Sequence, residues 1–227
     1  MFSLFKTPCL GIICILTVSL PWHCIADSAA MINETAVGSI VDINFRQCVQ
    51  KLMVKNQWQA AEQVESIKCH NMEIASAEGL EHFINIRQLS LYQNQLKWID
   101  VSRLEKLETI NLASNQLQFL NLSNLPKLTK LFVFKNQLVE LRFTDLPELT
   151  QVKANNNALN LLTLHSTPKL TKLYLFNNQL EHLEIKHQPQ LRYIDVRQNP
   201  MPDEFYDFLD EQSDLTARHD GNADDWG

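Results

Sequence analysis

The sequence predicts an α/β solenoid: a right-handed coil with a parallel β-sheet on its concave face, short extended segments on its convex side and a helical N-terminal cap. Two observations carry this. The chain repeats with a 21-residue step from Ile86 through Leu107, Leu128, Leu149 and Leu170 to Leu191, and an asparagine stands at the ninth place of all six copies. A fixed period in this range means stacked coils, each burying its apolar face against the next.

Each copy is numbered from 1 at these residues. In the five full copies, positions 1, 4, 6, 11, 14 and 16 make thirty slots, all apolar, from Ala154 to Phe143. At 45% hydrophobic composition, chance would fill them this way about once in 10^10 trials. Positions 4 and 6 alternate with polar residues, the period of a half-buried strand. The chain must then turn away, leaving backbone N–H and C=O groups inside the coil. Position 9 answers that need with Asn94, Asn115, Asn136, Asn157, Asn178 and Asn199. An Asn amide has two donors and an oxygen that accepts two bonds. With turns stacked at ~4.8 Å, each Asn is expected to bond its own turn and the next. Asn also tolerates left-handed backbone, which accounts for the absence of glycine between residues 86 and 202. Positions 14 and 16 alternate again, as in "LEHLEI", so a second extended segment is expected on the convex side. Pro126, Pro147, Pro168 and Pro189 at position 20 then set an extended link into the next turn.

The pattern L-x-x-L-x-L-x-x-N-x-L resembles the leucine-rich repeat. Its 21-residue form is similar to bacterial internalin-type surface proteins, the internalin J type in particular, over about residues 40–206. The opening copy departs from the period. Ile67, Cys69 and Ile74 take strand positions 22 residues before their counterparts, and Met72 replaces the seam Asn. Upstream, Phe45, Val49, Leu52 and Met53 share one helix face, as in the helical N-terminal cap of internalin-like proteins. Cys48 lies near that face, so a Cys48–Cys69 disulfide would join cap to first strand; two buried free thiols are the alternative. Position 6 is also a cysteine in many internalin J-type repeats, which leaves Cys69 open to either reading. In "PDEFYDFLDEQ", Phe205, Phe208 and Leu209 share a helical face suited to closing the last coil.

The expected organisation is a signal peptide (1–26), a flexible linker (27–40), the helical cap (41–66), repeats (67–200), a C-terminal helical cap (201–211) and an acidic disordered tail (212–227). Lys6 and the apolar "CLGIICILTVSL" make the signal, and Ala26, Ala29 and Ala30 are candidate cleavage sites. The apolar run is too short to span a bilayer. An uncleaved anchor or a lipidated Cys24 are the other readings. After cleavage only Cys48 and Cys69 remain, and an even count in an exported chain suggests a disulfide. The export signal makes a secreted or periplasmic bacterial protein the expectation, with no membrane insertion after cleavage.

Net charge is −6, but nine acids and one arginine stand in residues 203–227. The body is therefore near neutral and has no general affinity for nucleic acid. No nucleophile elbow is present, and His165, His182 and His187 lack ligand spacing. "DGNADD" at 220–225 has Asp225 where a calcium loop needs glycine. No enzyme activity, cofactor or metal is expected, and the protein should be monomeric.

Function is then expected on the surface. Positions 3, 5 and 7 point outward on the concave face. Six of those eighteen residues are aromatic against 8% of the chain, and four positive charges meet one negative. The candidate ligand residues are Tyr92, Lys130, Phe132, Phe134, Lys153, Asn155, Lys172, Tyr174, Phe176, Tyr193 and Arg197. A slot between the Phe132–Phe134 and Tyr174–Phe176 walls would admit an extended peptide or a sugar ring, with Lys153 and Asn155 at its floor. A protein or peptide ligand, acidic in character, is the first expectation, in keeping with the adhesion that the resemblance implies. Carbohydrate binding on the aromatic platforms is the second. A structural spacer, whose aromatics would reflect strand propensity alone, is the third.

Overall fold

The thirty repeat slots named above are all buried, most of them completely. Six per turn, they make one continuous apolar column. In the computed structural model, residues 34–221 are described. The signal segment and the last six residues lie outside them, as do the expected cleavage sites.

The order from the N-terminus is α1 (Glu34–Gly38), α2 (Ile43–Asn56), β1 (Ser66–Lys68), β2 (Gln88–Ser90), β3 (Thr109–Asn111), β4 (Lys130–Phe132), β5 (Glu140–Phe143), β6 (Gln151–Lys153), β7 (Leu161–Leu164), β8 (Lys172–Tyr174), β9 (Tyr193–Asp195), α3 (Asp203–Asp210) and β10 (Thr216–Arg218). Eight strands form one parallel sheet in the order β1-β2-β3-β4-β6-β8-β9-β10, and β5 pairs with β7 in a second, two-stranded sheet. Register follows the repeat: Leu89 faces Ile110, Ile110 faces Leu131, and Leu131 faces Val152. The 22-residue first step also holds, with Ile67 opposite Leu89. On the convex side, "ELRF" and "LLTL" are strands, while the equivalent stretches of the other copies run without strand pairing.

The asparagine seam runs the length of the coil, but its direction differs from the expectation. Each Asn bonds its own turn and the one before it. Asn115 Nδ2 donates to the Leu112 and Leu91 carbonyls at 2.9 Å, and its Oδ1 accepts from Leu96 N–H at 3.1 Å. Asn136 and Asn157 repeat the pattern, as do Asn178 and Asn199. Asn94 reaches into the first turn, to Cys69 O and the N–H groups of Met72 and Ile74. The seam therefore extends one turn beyond its first Asn. The left-handed residue is also not the Asn but its predecessor at position 8: Gln93, Ser114, Lys135, Asn156, Asn177 and Gln198 all have φ near +56°. That position accepts Gln and Lys because one αL residue costs only about 1–2 kcal/mol, which the bonded turn outweighs. Two further ladders accompany the seam. Thr129, Thr150 and Thr171 each donate a hydroxyl to the backbone of the preceding turn. Buried Thr167 donates to Gln188, whose amide donates to Leu164 O.

The N-terminal cap covers the open end of the first turn. Residues 34–40, expected as linker, include α1 and bury Ala36, Val37 and Ile40 against the core. Helix α2 buries Phe45, Cys48, Val49 and Met53, while Leu52 packs at its margin. Cys48 and Cys69 form a disulfide, with Cα atoms 6.0 Å apart. By the chain-entropy view a link of this span stabilises by ~3 kcal/mol. Asp42 makes a second clamp. Its Oδ1 caps α2 by accepting from Asn44 and Phe45 N–H at 2.9 and 3.0 Å. Its Oδ2 accepts from Ala75 and Ser76 N–H in the first repeat at 2.9 and 3.3 Å. Gly79 completes the docking: its φ is +97°, and a Cβ there would come within 2.7 Å of Ile40 Cα.

At the other end, α3 buries Tyr206 and Leu209. Residues 212–221, expected to be disordered, instead add β10 beside β9. His219 stacks on Tyr206 at 5.0 Å and pairs with Asp210 at 2.9 Å.

Replacing Asn115 with Ala leaves the Leu96 N–H unpaired in the core and takes one of two amide donors from each of the Leu91 and Leu112 carbonyls, so Asn115→Ala should cost about 2 kcal/mol. Gln118→Ala, at an exposed neighbour, should change stability by less than about 0.5 kcal/mol. Urea unfolding midpoints distinguish the two, and equal midpoints would refute the seam.

Burial pushes the Asp42 carboxyl up, but the N–H groups of Phe45, Ala75, Ser76 and Asn44 outweigh it, so its pKa lies below the ordinary 3.8. Its stabilising contribution is therefore complete above the unfolded value and is lost as pH falls through the lower folded value. Asp42→Ala should cost about 1–2 kcal/mol at neutral pH, as lost helix caps do. In urea titrations run down to about pH 2, wild type should lose a component of stability that Asp42→Asn lacks.

Candidate functional site

The outward side chains of the large sheet stand in three columns, because each strand repeats its neighbour's register. Equivalent residues on adjacent strands are ~4.8 Å apart. The sheet brings most candidate residues into one area spanning β4, β6, β8 and β9. Lys153 is its centre. Its Nζ lies 5.7 Å from the Phe132 ring and 5.1 Å from the Tyr174 ring, so the ammonium sits between aromatics of the two flanking strands. Both distances are within cation–π range. The expected slot is thus occupied by the Lys153 side chain itself. Tyr174 continues the array to Tyr193, with ring centres 4.8 Å apart. In the next column the Arg197 guanidinium lies 5.7 Å over Phe176. Phe132, Phe134, Tyr174, Phe176 and Tyr193 are all half-buried, and Lys130 and Lys172 are exposed.

Other candidates sit differently. Asn155 is buried and offers little to a ligand. Tyr92 lies apart, with β3 and the small Ala113 between it and the aromatic area, and meets His70 edge-on at 6.0 Å. Asp195, counted from sequence as outward, has a side chain only 3% exposed and holds Arg197 bidentately at 2.7 and 2.9 Å. That pairing raises the Arg197 pKa, first through the hydrogen bond and then through the carboxylate charge. It leaves Arg197 largely neutralised. No carboxylate pairs with Lys130, Lys153 or Lys172 among the described residues.

Three features of this face escaped the sequence. His70 bonds Ser90 Oγ at 2.7 Å. Asn177 donates to Asn156 at 2.8 Å along the rim of the aromatic area. Strand β10 adds Arg218 beyond Asp195. Leu215 and Ala217 carried a faint strand signal there, but Thr216 lies 23 residues after its partner Tyr193, so it fell outside the period. A cleft of about 310 Å³ lined by Leu162, Thr167 and His187 lies on the convex side and shares no residue with this face. Among the described residues no group of three metal-ligating side chains comes together, and no helix is long and apolar enough to cross a membrane.

Removing Arg197 leaves the Asp195 carboxylate nearly buried without its partner. Arg197→Ala should therefore lower stability, and adding Asp195→Asn should recover part of the loss. Lys172→Ala should cost less than about 0.5 kcal/mol. Denaturant unfolding of the three variants checks the set.

No protein-family model and no curated protein matches the chain. Solved structures do. Internalin C2 from Listeria monocytogenes aligns with 81% of this chain and 96% of its own, at 19% identity and a TM-score of 0.56. YopM from Yersinia enterocolitica aligns with 79% of this chain at 23% identity and a TM-score of 0.53, and the chain spans 40% of it. A chain of the LRIM1/APL1C complex aligns with 54% of this one at 25% identity and a TM-score of 0.50, with 23% of that chain spanned. By its fold, the chain is a leucine-rich-repeat solenoid of internalin-like form, built from 21-residue turns.

Proposed function

We propose that the protein is an exported bacterial binding module that holds a protein ligand on its concave face and performs no catalysis. The observation that carries this is the aromatic and cationic area around Lys153. Five half-buried rings stand beside three ammonium groups that no acid among the described residues neutralises. Nothing in the fold requires that arrangement, since the outward positions do not touch the core. Apolar surface with a few convergent polar groups is what binding sites usually present. The protein–protein complex among the structural neighbours is in keeping with this use of the fold. Export rests on Lys6 and the apolar run that follows it, and places the module in the periplasm or outside the cell.

An acidic protein surface fits the face better than a sugar. The Lys153 stem fills the space between the Phe132 and Tyr174 rings, so a sugar ring could enter only by displacing it. The test is affinity capture on immobilised mature chain, run beside a glycan array. Against the captured ligand, Phe134→Ala and Tyr174→Ala should each weaken binding by about 2 kcal/mol, as truncated hot spots do. Lys153→Glu should weaken an acidic protein most and a neutral glycan hardly at all. Glu181→Ala, on an exposed residue away from the sheet, should leave binding unchanged. Wild-type affinity in the Phe134 and Tyr174 variants would place the site elsewhere.

A further inference from the structure

We propose that the ligand segment is an acidic polyproline II helix, with a carboxylate at every third residue, lying across the strands. This rests on the concave-face reading above and adds the ligand's conformation and register.

The first argument is spacing. Lys130 and Lys172 hold the same column position on strands β4 and β8, with only β6 between them. At ~4.8 Å per strand their stems emerge about 9.6 Å apart. A polyproline II helix has three residues per turn and rises 3.1 Å per residue, so its residues i and i+3 share one face about 9.3 Å apart. An extended β-strand places residue i+3 on its opposite face. A segment crossing the strands as polyproline II therefore meets Lys130 and Lys172 with successive carboxylates, and a β-strand does not.

The second argument is apolar. Phe132 and Tyr174 stand in the neighbouring column with the same two-strand spacing, and Lys153 fills the gap between them. The result is a ridged platform that recurs at the pitch of the ligand. Aromatic ridges of this kind take up proline rings, and a preformed helix loses little entropy on docking.

The third is charge. Lys130, Lys153 and Lys172 have no acidic partner among the described residues, whereas Arg197 is already paired with Asp195. The open charge thus lies on the side of the face where the spacing match falls.

The experiment uses the mature chain and labelled synthetic peptides of five triplets, Glu-Pro-Pro, Gln-Pro-Pro or Glu-Gly-Ser, followed by fluorescence anisotropy. The Glu-Pro-Pro peptide should bind at least about tenfold more tightly than either other peptide, and more weakly as salt rises. Lys130→Gln and Lys172→Gln should each weaken it about fivefold, and Phe132→Ala about tenfold or more. Glu181→Gln should not change it. Circular dichroism confirms that each variant is folded. Equal binding of Glu-Pro-Pro and Glu-Gly-Ser would overturn the helical register while leaving an acid-binding concave face. Binding that ignores the three variants would overturn the site. Failure of Glu-Pro-Pro to bind would overturn this proposal alone, because ligand capture tested with Phe134→Ala judges the concave-face reading independently.

Discussion

Each turn of this solenoid must satisfy the backbone groups that face inward where the strand bends away. Water does not reach them, and each group left unpaired would cost about 1–3 kcal/mol. One Asn per turn meets the whole need. Its amide donates to two carbonyls, one in its own turn and one in the turn before, and its oxygen accepts the N–H at position 11 of that preceding turn. The remaining inward positions are thereby free to be apolar, and they are.

Because each Asn reaches backwards, every turn depends on its successor, and stability is coupled along one dimension. The two ends then need different solutions. At the N-terminal end Met72 occupies the Asn place, and Asn94 closes that turn from the next one. The outer side of the first turn is held by the Cys48–Cys69 link and by Asp42, which caps α2 and grips Ala75 and Ser76 with the same carboxylate. At the C-terminal end Asn199 is the last seam Asn among the described residues. Tyr206 donates to the Asn199 carbonyl at 3.1 Å, Asp220 accepts from Gln198 N–H, and β10 covers the edge of β9.

The same geometry separates folding from recognition. Core demands fall on inward positions, so residues at 3, 5 and 7 can vary without disturbing the coil. Register then converts a choice at one position into a feature repeated every ~4.8 Å. Aromatics on β4 and β8 with a lysine on β6 give an alternating ridge that no single strand could present. Asp195 marks the boundary of this freedom: although outward in register, it is covered by its neighbours and serves Arg197.

The 21-residue step and its thirty apolar slots were enough to establish the coil, the parallel sheet, the buried positions and the Asn seam. In a solenoid the symmetry is translational, so distance along the chain maps directly onto distance in space. Where that mapping failed, only the tertiary structure could decide. The αL residue proved to be position 8, whose identity varies from Gln to Lys, because the bonded turn and not the residue type sets its conformation. Asp42 finds Ala75 across 33 residues that contain no period. Strand β10 joins at a 23-residue offset, and α1 packs where a linker was expected, because each packs apolar residues against an end of the repeat core. The position of the Lys153 ammonium between two rings is a matter of side-chain rotamer. Rotamers answer to neighbours on adjacent strands, and a one-dimensional pattern carries no record of them.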